Sequence, residues 1–152
     1  MKLAEALNRR TKVRRKLFEL KIRLDRNAQV QEGEKPFEDP NNLLLEYESA
    51  FDELNTLVKR INKTNNSTQL EPERTLMEAL ADRDCLAWRR AVLEKFKSAA
   101  VMPQKRYSLS EVKFVASVDV IQIQKQIDEL DKKHQELVCR IQQMNWQVDL
   151  AE

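Results

Sequence analysis

The chain has 152 residues, of which 34% are charged and 41% hydrophobic, with a formal net charge of +2. One glycine and four prolines leave few sharp turns, and helix formers dominate, which excludes a turn-rich β protein and suits long solvated helices. So small a net charge makes no demand for a nucleic-acid partner, and the longest apolar runs, such as Ala99 to Met102, are far too short for a membrane span.

In chain order, the first predicted element is a helix over residues 2 to about 30. Leu3, Ala6, Arg10, Val13, Leu17, Leu20, Leu24 and Asn27 recur at steps of three and four, the spacing of a heptad stripe. Gly33, the only glycine, follows it as a cap or turn. Asp39-Pro40 then restarts the helical pattern, with Asp as N-cap and Pro at the first helical position. The second helix is expected from Pro40 to about Lys63, with Leu44, Tyr47, Phe51, Leu54, Val58 and Ile61 as its seam. Two helices of similar length joined by a short loop predict an antiparallel hairpin over residues 1–66. A turn-over at about residue 36 would set Arg26 near Glu46 and Lys16 near Thr56.

The polar run Asn62 to Thr68 is rich in residues that bond their own backbone, so it is expected to end the second helix. Thr75-Leu-Met-Glu78 has the pattern of a capping box and opens a third helix over 75–100, with Leu76, Leu80, Leu86, Leu93 and Phe96 on its inner face. Pro103 closes it. Between Ser110 and Val118, Val112, Phe114, Ala116 and Val118 alternate with Glu111, Lys113 and Ser117, which favours a short β-strand at 110–118. The rival reading takes Ser108 and Glu111 as a capping box that starts the last helix early. Asp119 with Gln122 is a second capping pair, and it opens the long C-terminal helix at 119–151.

That helix carries the most regular pattern in the chain. Val120, Ile123, Ile127, Leu130, His134, Leu137, Ile141, Met144, Val148 and Ala151 form an apolar seam broken only by His134. At 1.5 Å per residue it would extend roughly 48 Å, more than one small core covers, so the seam is expected to meet a partner along its run. Ile123, Ile127, Leu130, His134, Leu137, Ile141, Met144 and Val148 are therefore the candidate oligomer seam, with His134 setting register rather than acting in catalysis.

Charge is unevenly placed. Residues 1–26 hold ten Lys/Arg against three acids, a net of +7, and residues 27–55 hold eight acids against Lys35, a net of −7. In the hairpin register just given, Arg9, Arg10, Lys12, Arg14, Arg15 and Lys16 would face Lys59, Arg60 and Lys63, leaving an unrelieved basic patch. Such a patch can follow a phosphate backbone, so these six residues are the candidate nucleic-acid contact. A solvated face, or one paired with acids of another subunit, is the plainer reading. The loop acids Glu32, Glu34, Glu38 and Asp39 match no known cation loop. No Gly-rich phosphate loop, CxxC pair or nucleophile-base arrangement occurs, so no catalytic, cofactor or metal site is expected and the protein is read as no enzyme. Cys85 and Cys139 sit apart within helical patterns, which fits a reducing compartment, and the early Glu5 and Arg9 do not fit a signal peptide. A cytoplasmic location is the expectation.

Several stretches together carry a resemblance. They are MKLAEAL at the start, Asn27-Ala-Gln-Val-Gln-Glu-Gly-Glu34, Glu38-Asp-Pro40, Arg60-Ile-Asn-Lys-Thr-Asn65, Thr75-Leu-Met-Glu-Ala-Leu-Ala-Asp-Arg-Asp84, Ser110-Glu-Val-Lys113, Val118-Asp-Val120 and Asn145-Trp146. Over nearly its whole length the chain resembles a family of small uncharacterised bacterial helical proteins, some labelled septicolysin. The resemblance implies a mainly helical bacterial protein that forms a homo-oligomer, with a hexamer as the suggested size. It brings no catalytic residues, and its label implies a cytolysin.

The expectation is thus a mainly all-α chain. A long antiparallel helical hairpin is joined by two further helices with coiled-coil packing, in one elongated domain over 1–152. The expected role is self-association as a structural or interaction module. Nucleic-acid binding is the alternative, and membrane activity, without stable insertion, a third reading.

Overall fold

The computed structural model describes residues 1–103 and 112–152. The fold is mainly all-α with one small antiparallel sheet: α1 (Leu3–Arg26), α2 (Pro40–Ser67), β1 (Gln69–Glu71), β2 (Arg74–Thr75), α3 (Leu76–Val101) and α4 (Val120–Gln147). The chain forms two compact units, Met1–Gln69 with Gln142–Glu152, and Leu70–Ile141.

In the first unit, α1 and α2 form the expected hairpin. The apolar stripe of α1 is its inner face: Leu3, Ala6, Val13, Leu20 and Asn27 are buried, and Arg10, Leu17 and Leu24 half-buried. The inner face of α2 keeps Tyr47, Leu54 and Ile61 of the expected seam, but Leu43, Ala50 and Leu57 take the places of Leu44, Phe51 and Val58. Leu43, Ala50, Leu57, Ile61 and Thr64 are buried, while Leu44 and Phe51 are about half exposed. Both rows have three-four spacing, and small Ala50 wins the inside position over Phe51 because a closely packed hairpin has no room for a ring. Phe51 instead tilts against Tyr47, ring centroids 5.9 Å apart.

The hairpin register differs from expectation. Arg9 pairs with Glu53 and Arg23 with Glu38, and the midpoint of the first pair is residue 31, not 36. The reason lies at the loop. α1 stops at Arg26, where Asn27 caps it by donating from Nδ2 to Arg23 O at 2.8 Å, and its Oδ1 accepts the backbone N–H of Glu38 at 2.9 Å. The buried Asn27 therefore ties both ends of the connection together. Between them, Glu34 N donates to Gln31 O at 2.9 Å, and Gly33 at φ +87° takes the third position of that turn, where a side chain would be strained. Asp39 caps α2 as expected, accepting from Asn41 N at 3.0 Å, with Pro40 at the first helical position.

α2 also runs on to Ser67, through the polar run expected to break it. Tertiary contacts hold it there. Thr64 is 1% exposed; its Oγ1 donates to Arg60 O at 2.8 Å and accepts Ala151 N at 2.9 Å. Arg60 Nε donates to Ala151 O at 2.7 Å and Lys63 Nζ to Glu152 O at 3.0 Å. The segment after α4 is paired on its other side with the start of the chain, through Leu3 N to Val148 O and Leu150 N to Met1 O, both 2.9 Å. Lys2 adds an ion pair to Asp149 at 3.0 Å.

In the second unit, β1 and β2 form a hairpin about Pro72-Glu73 that leads into α3, and this small sheet was not foreseen. The Thr75–Glu78 capping box is present, with Glu78 N donating to Thr75 Oγ1 at 3.2 Å and Thr75 N donating to Glu78 Oε2 at 2.7 Å. Arg90 pairs with Asp131 and Lys97 Nζ donates to Gln124 Oε1 at 2.7 Å, so α3 and the 120–141 part of α4 run antiparallel. Asp119 caps α4 through Ile121 N at 3.0 Å and Gln122 N at 3.3 Å.

The strand expected at 110–118 is a correction. Residues 112–118 form no strand, and Ser110 and Glu111, like the rival Ser108–Glu111 box, lie outside the described residues. Val112, Phe114 and Val115 are exposed, with no neighbouring strand to satisfy their backbone among the described residues, and alternation without a partner does not make a sheet.

Candidate functional site

The basic patch on α1 is less isolated than its sequence suggests. With the turn-over at residue 31 rather than 36, the 9–16 segment faces the acid-rich part of α2 instead of Lys59, Arg60 and Lys63. Arg9 is ion-paired to Glu53, whose hydrogen bond and charge raise its pKa. Arg60 and Lys63 are taken up by backbone carbonyls of Ala151 and Glu152. Lys12, Arg14, Arg15 and Lys16 remain exposed and make no ion pair among the described residues. Arg10 is half-buried on the inner face, and its pKa is lowered by burial and by the charge of Arg14. The exposed remainder of the patch is a short row of four cations.

Two acids of the loop are engaged by other groups. Glu38 is clamped by Arg23, whose Nε donates to both of its carboxylate oxygens at 3.1 and 3.0 Å, and that hydrogen bonding holds Glu38 below the usual carboxylate range. Asp39 is the N-cap of α2. Among the described residues no group of three or more His, Cys, Asp or Glu side chains is placed to hold a metal ion.

The α4 seam is an inner face of the chain. Ile127, Leu130, Leu137 and Ile141 are buried, and Ile123, His134, Met144 and Val148 half-buried, within a single copy. Cys139 lies on the outer side of α4, and both Cys85 and Cys139 are free and exposed.

Two features of the second unit were not read from the sequence. The first is an open groove of about 400 Å³ between α3 and α4, lined by Arg74, Asp82, Cys85, Arg89, Lys133, Glu136 and Arg140 with Leu86 and Leu137 beneath. Some of its charges are paired, whereas Arg89, Lys133 and Glu136 make no ion pair among the described residues. Arg74 binds Asp82 at 2.9 Å and Glu71 at 2.8 Å, and Arg140 also reaches Glu71. Asp82 and then Glu71 raise the pKa of Arg74.

The second feature is the outward side of α3. Met77 is 44% exposed, Trp88 73%, Val92 54% and Phe96 44%, with Ala81, Cys85 and Ala99 exposed in the same row, so Phe96, expected on the inner face, lies on the outer one. They recur at steps of four and three, opposite the buried Leu76 and Ala79 and the half-buried Leu86 and Leu93. α3 is thus apolar on both sides. The signal was legible as a second stripe, but one helix with two apolar faces gives a weak amphipathic pattern, and the inner face alone was read.

Curated proteins offer no match to this chain. Among solved structures it is similar to the crystal structure of a functionally unknown conserved protein from Corynebacterium diphtheriae. The identity is 40% over 99% of this chain and 98% of that one, with a TM-score of 0.92. Residues 10–150 match a family of unknown function, DUF6847, and septicolysin is no part of its description. Likeness over that span makes the protein a member of the DUF6847 family of unknown function.

Proposed function

We propose that this protein is a non-enzymatic helical module, resident in the cytoplasm, that works by associating with further copies of itself. The observation that supports this reading is the row of large apolar side chains, Trp88 foremost, left in water along α3. Contiguous apolar surface on a water-exposed helix is costly unless another surface covers it. No helix among the described residues is long and apolar enough to cross a membrane, so a bilayer is not the cover these helices suit. The cytolysin reading that came with the septicolysin label gains no observation from the structure. Light scattering across a concentration series tests the assembly reading: a mass of at least twice that of the chain is expected at micromolar concentration. A monomer at every concentration would sink it.

The second reading, nucleic-acid binding, has one supporting observation: Lys12, Arg14, Arg15 and Lys16 are exposed and free of ion pairs among the described residues. Four phosphate contacts would give affinity falling with a log–log salt slope of roughly −3 to −4. Titration of a labelled duplex or single strand at low salt, with Arg14→Glu/Arg15→Glu beside it, checks this. No binding at low salt removes the reading.

A further inference from the structure

We infer that the outer face of α3 is a two-fold interface, on which α3 of a second copy packs antiparallel. The inference rests on the self-association reading and specifies where it occurs.

Side-chain size supports the register. A dyad placed between Leu86 and Ala87 sets Trp88 of one copy over Cys85 of the other and Val92 over Ala81. Each layer then has one large and one small partner, and each occurs twice by symmetry. Like-on-like placement would instead stack Trp88 on itself and leave Cys85 and Ala81 opposite voids. All four side chains are exposed in the single chain, so none has to leave a core to make the contact.

Charge supports the direction. The acids of α3 gather in its first half, at Glu78, Asp82 and Asp84. Apart from Arg83, its basic residues, Arg89, Arg90, Lys95 and Lys97, follow in the second half, where Glu94 is the one acid. A parallel pair would set acid on acid and base on base, whereas an antiparallel pair sets each half against its opposite. Asp82 and Arg89 lie seven residues apart on the same flank of the stripe, so each meets the other's counterpart across the dyad. In the single chain Asp82 accepts from Arg74 through one carboxylate oxygen at 2.9 Å, and 53% of its side chain is exposed.

The closing experiment uses the full chain and reads mass by sedimentation equilibrium, with helix content by circular dichroism as the control for folding. Trp88→Glu is expected to lower the assembly mass by half or more at unchanged helicity. Should that variant lose helix, Val92→Lys, one turn further on, replaces it. Asp82→Arg and Arg89→Asp are each expected to weaken association about tenfold, and the two together to restore it. An oligomeric wild type whose mass is untouched by Trp88→Glu would overturn the α3 interface while leaving self-association in place. A wild type that is monomeric throughout would end both. Weakening by both single exchanges with no recovery in the double variant would also refute the two-fold pairing.

Discussion

Two buried polar residues do more for the first unit than their size suggests. Asn27 and Thr64 are its buried polar side chains among the described residues; Asn27 ties together the two ends of the α1–α2 connection, and Thr64 ties α2 to the last residues of the chain. Thr64→Val keeps the volume but leaves Ala151 N without its acceptor, so a loss of about 1–3 kcal/mol is expected in urea unfolding. Asn27→Ala strands the N–H of Glu38 and uncaps α1, with a loss of similar size, about 1–3 kcal/mol. Asn27 was visible beforehand as a member of the α1 stripe. Thr64 was not: in sequence it belongs to a run of turn formers, and its burial follows from where the last residues of the chain lie.

Among the elements, starts were more legible than ends. Asp39, Thr75 and Asp119 each cap a helix where the sequence places them, because an N-cap is a local bond between a side chain and an N–H two or three residues on. Asp39→Ala is accordingly expected to cost about 0.5–2 kcal/mol by thermal or urea unfolding, with the larger effect at low salt. The end of α2 was misplaced because the backbone preferences of Asn62 to Thr68 are weak priors that tertiary bonds override. The hairpin register failed for a related reason. Loop length bounds a turn-over only loosely, and the shift of its midpoint from 36 to 31, ten residues of α2 along α1, needs the choice of Ala50 over Phe51 for the inside and the Arg23–Glu38 clamp. That offset decides whether the α1 cations face acids or bases, so the candidate nucleic-acid site depended on a quantity the spacing did not contain.

For the molecule as a whole, three carboxylates give stability a pH dependence. Glu38 is held low mainly by Arg23, Glu78 by the backbone N–H of Thr75, and Asp149 by Lys2. Each has a folded pKa below its ordinary value of 4.5 or 3.8, so its contribution is complete above that value and fades as pH falls through the lower folded one. The melting temperature is therefore expected to be flat from pH 8 to about 5 and to drop below about 4.5, with a shallower drop in Asp149→Asn. A melting temperature that holds steady to pH 3 would contradict this assignment. Residue order alone establishes the four helices of the described residues and where each begins, since periodicity and caps are local properties. It does not establish which of two apolar stripes on α3 faces inward or how α1 meets α2. Those depend on side chains that lie far apart in sequence, and packing selects one arrangement from several that satisfy the same local pattern.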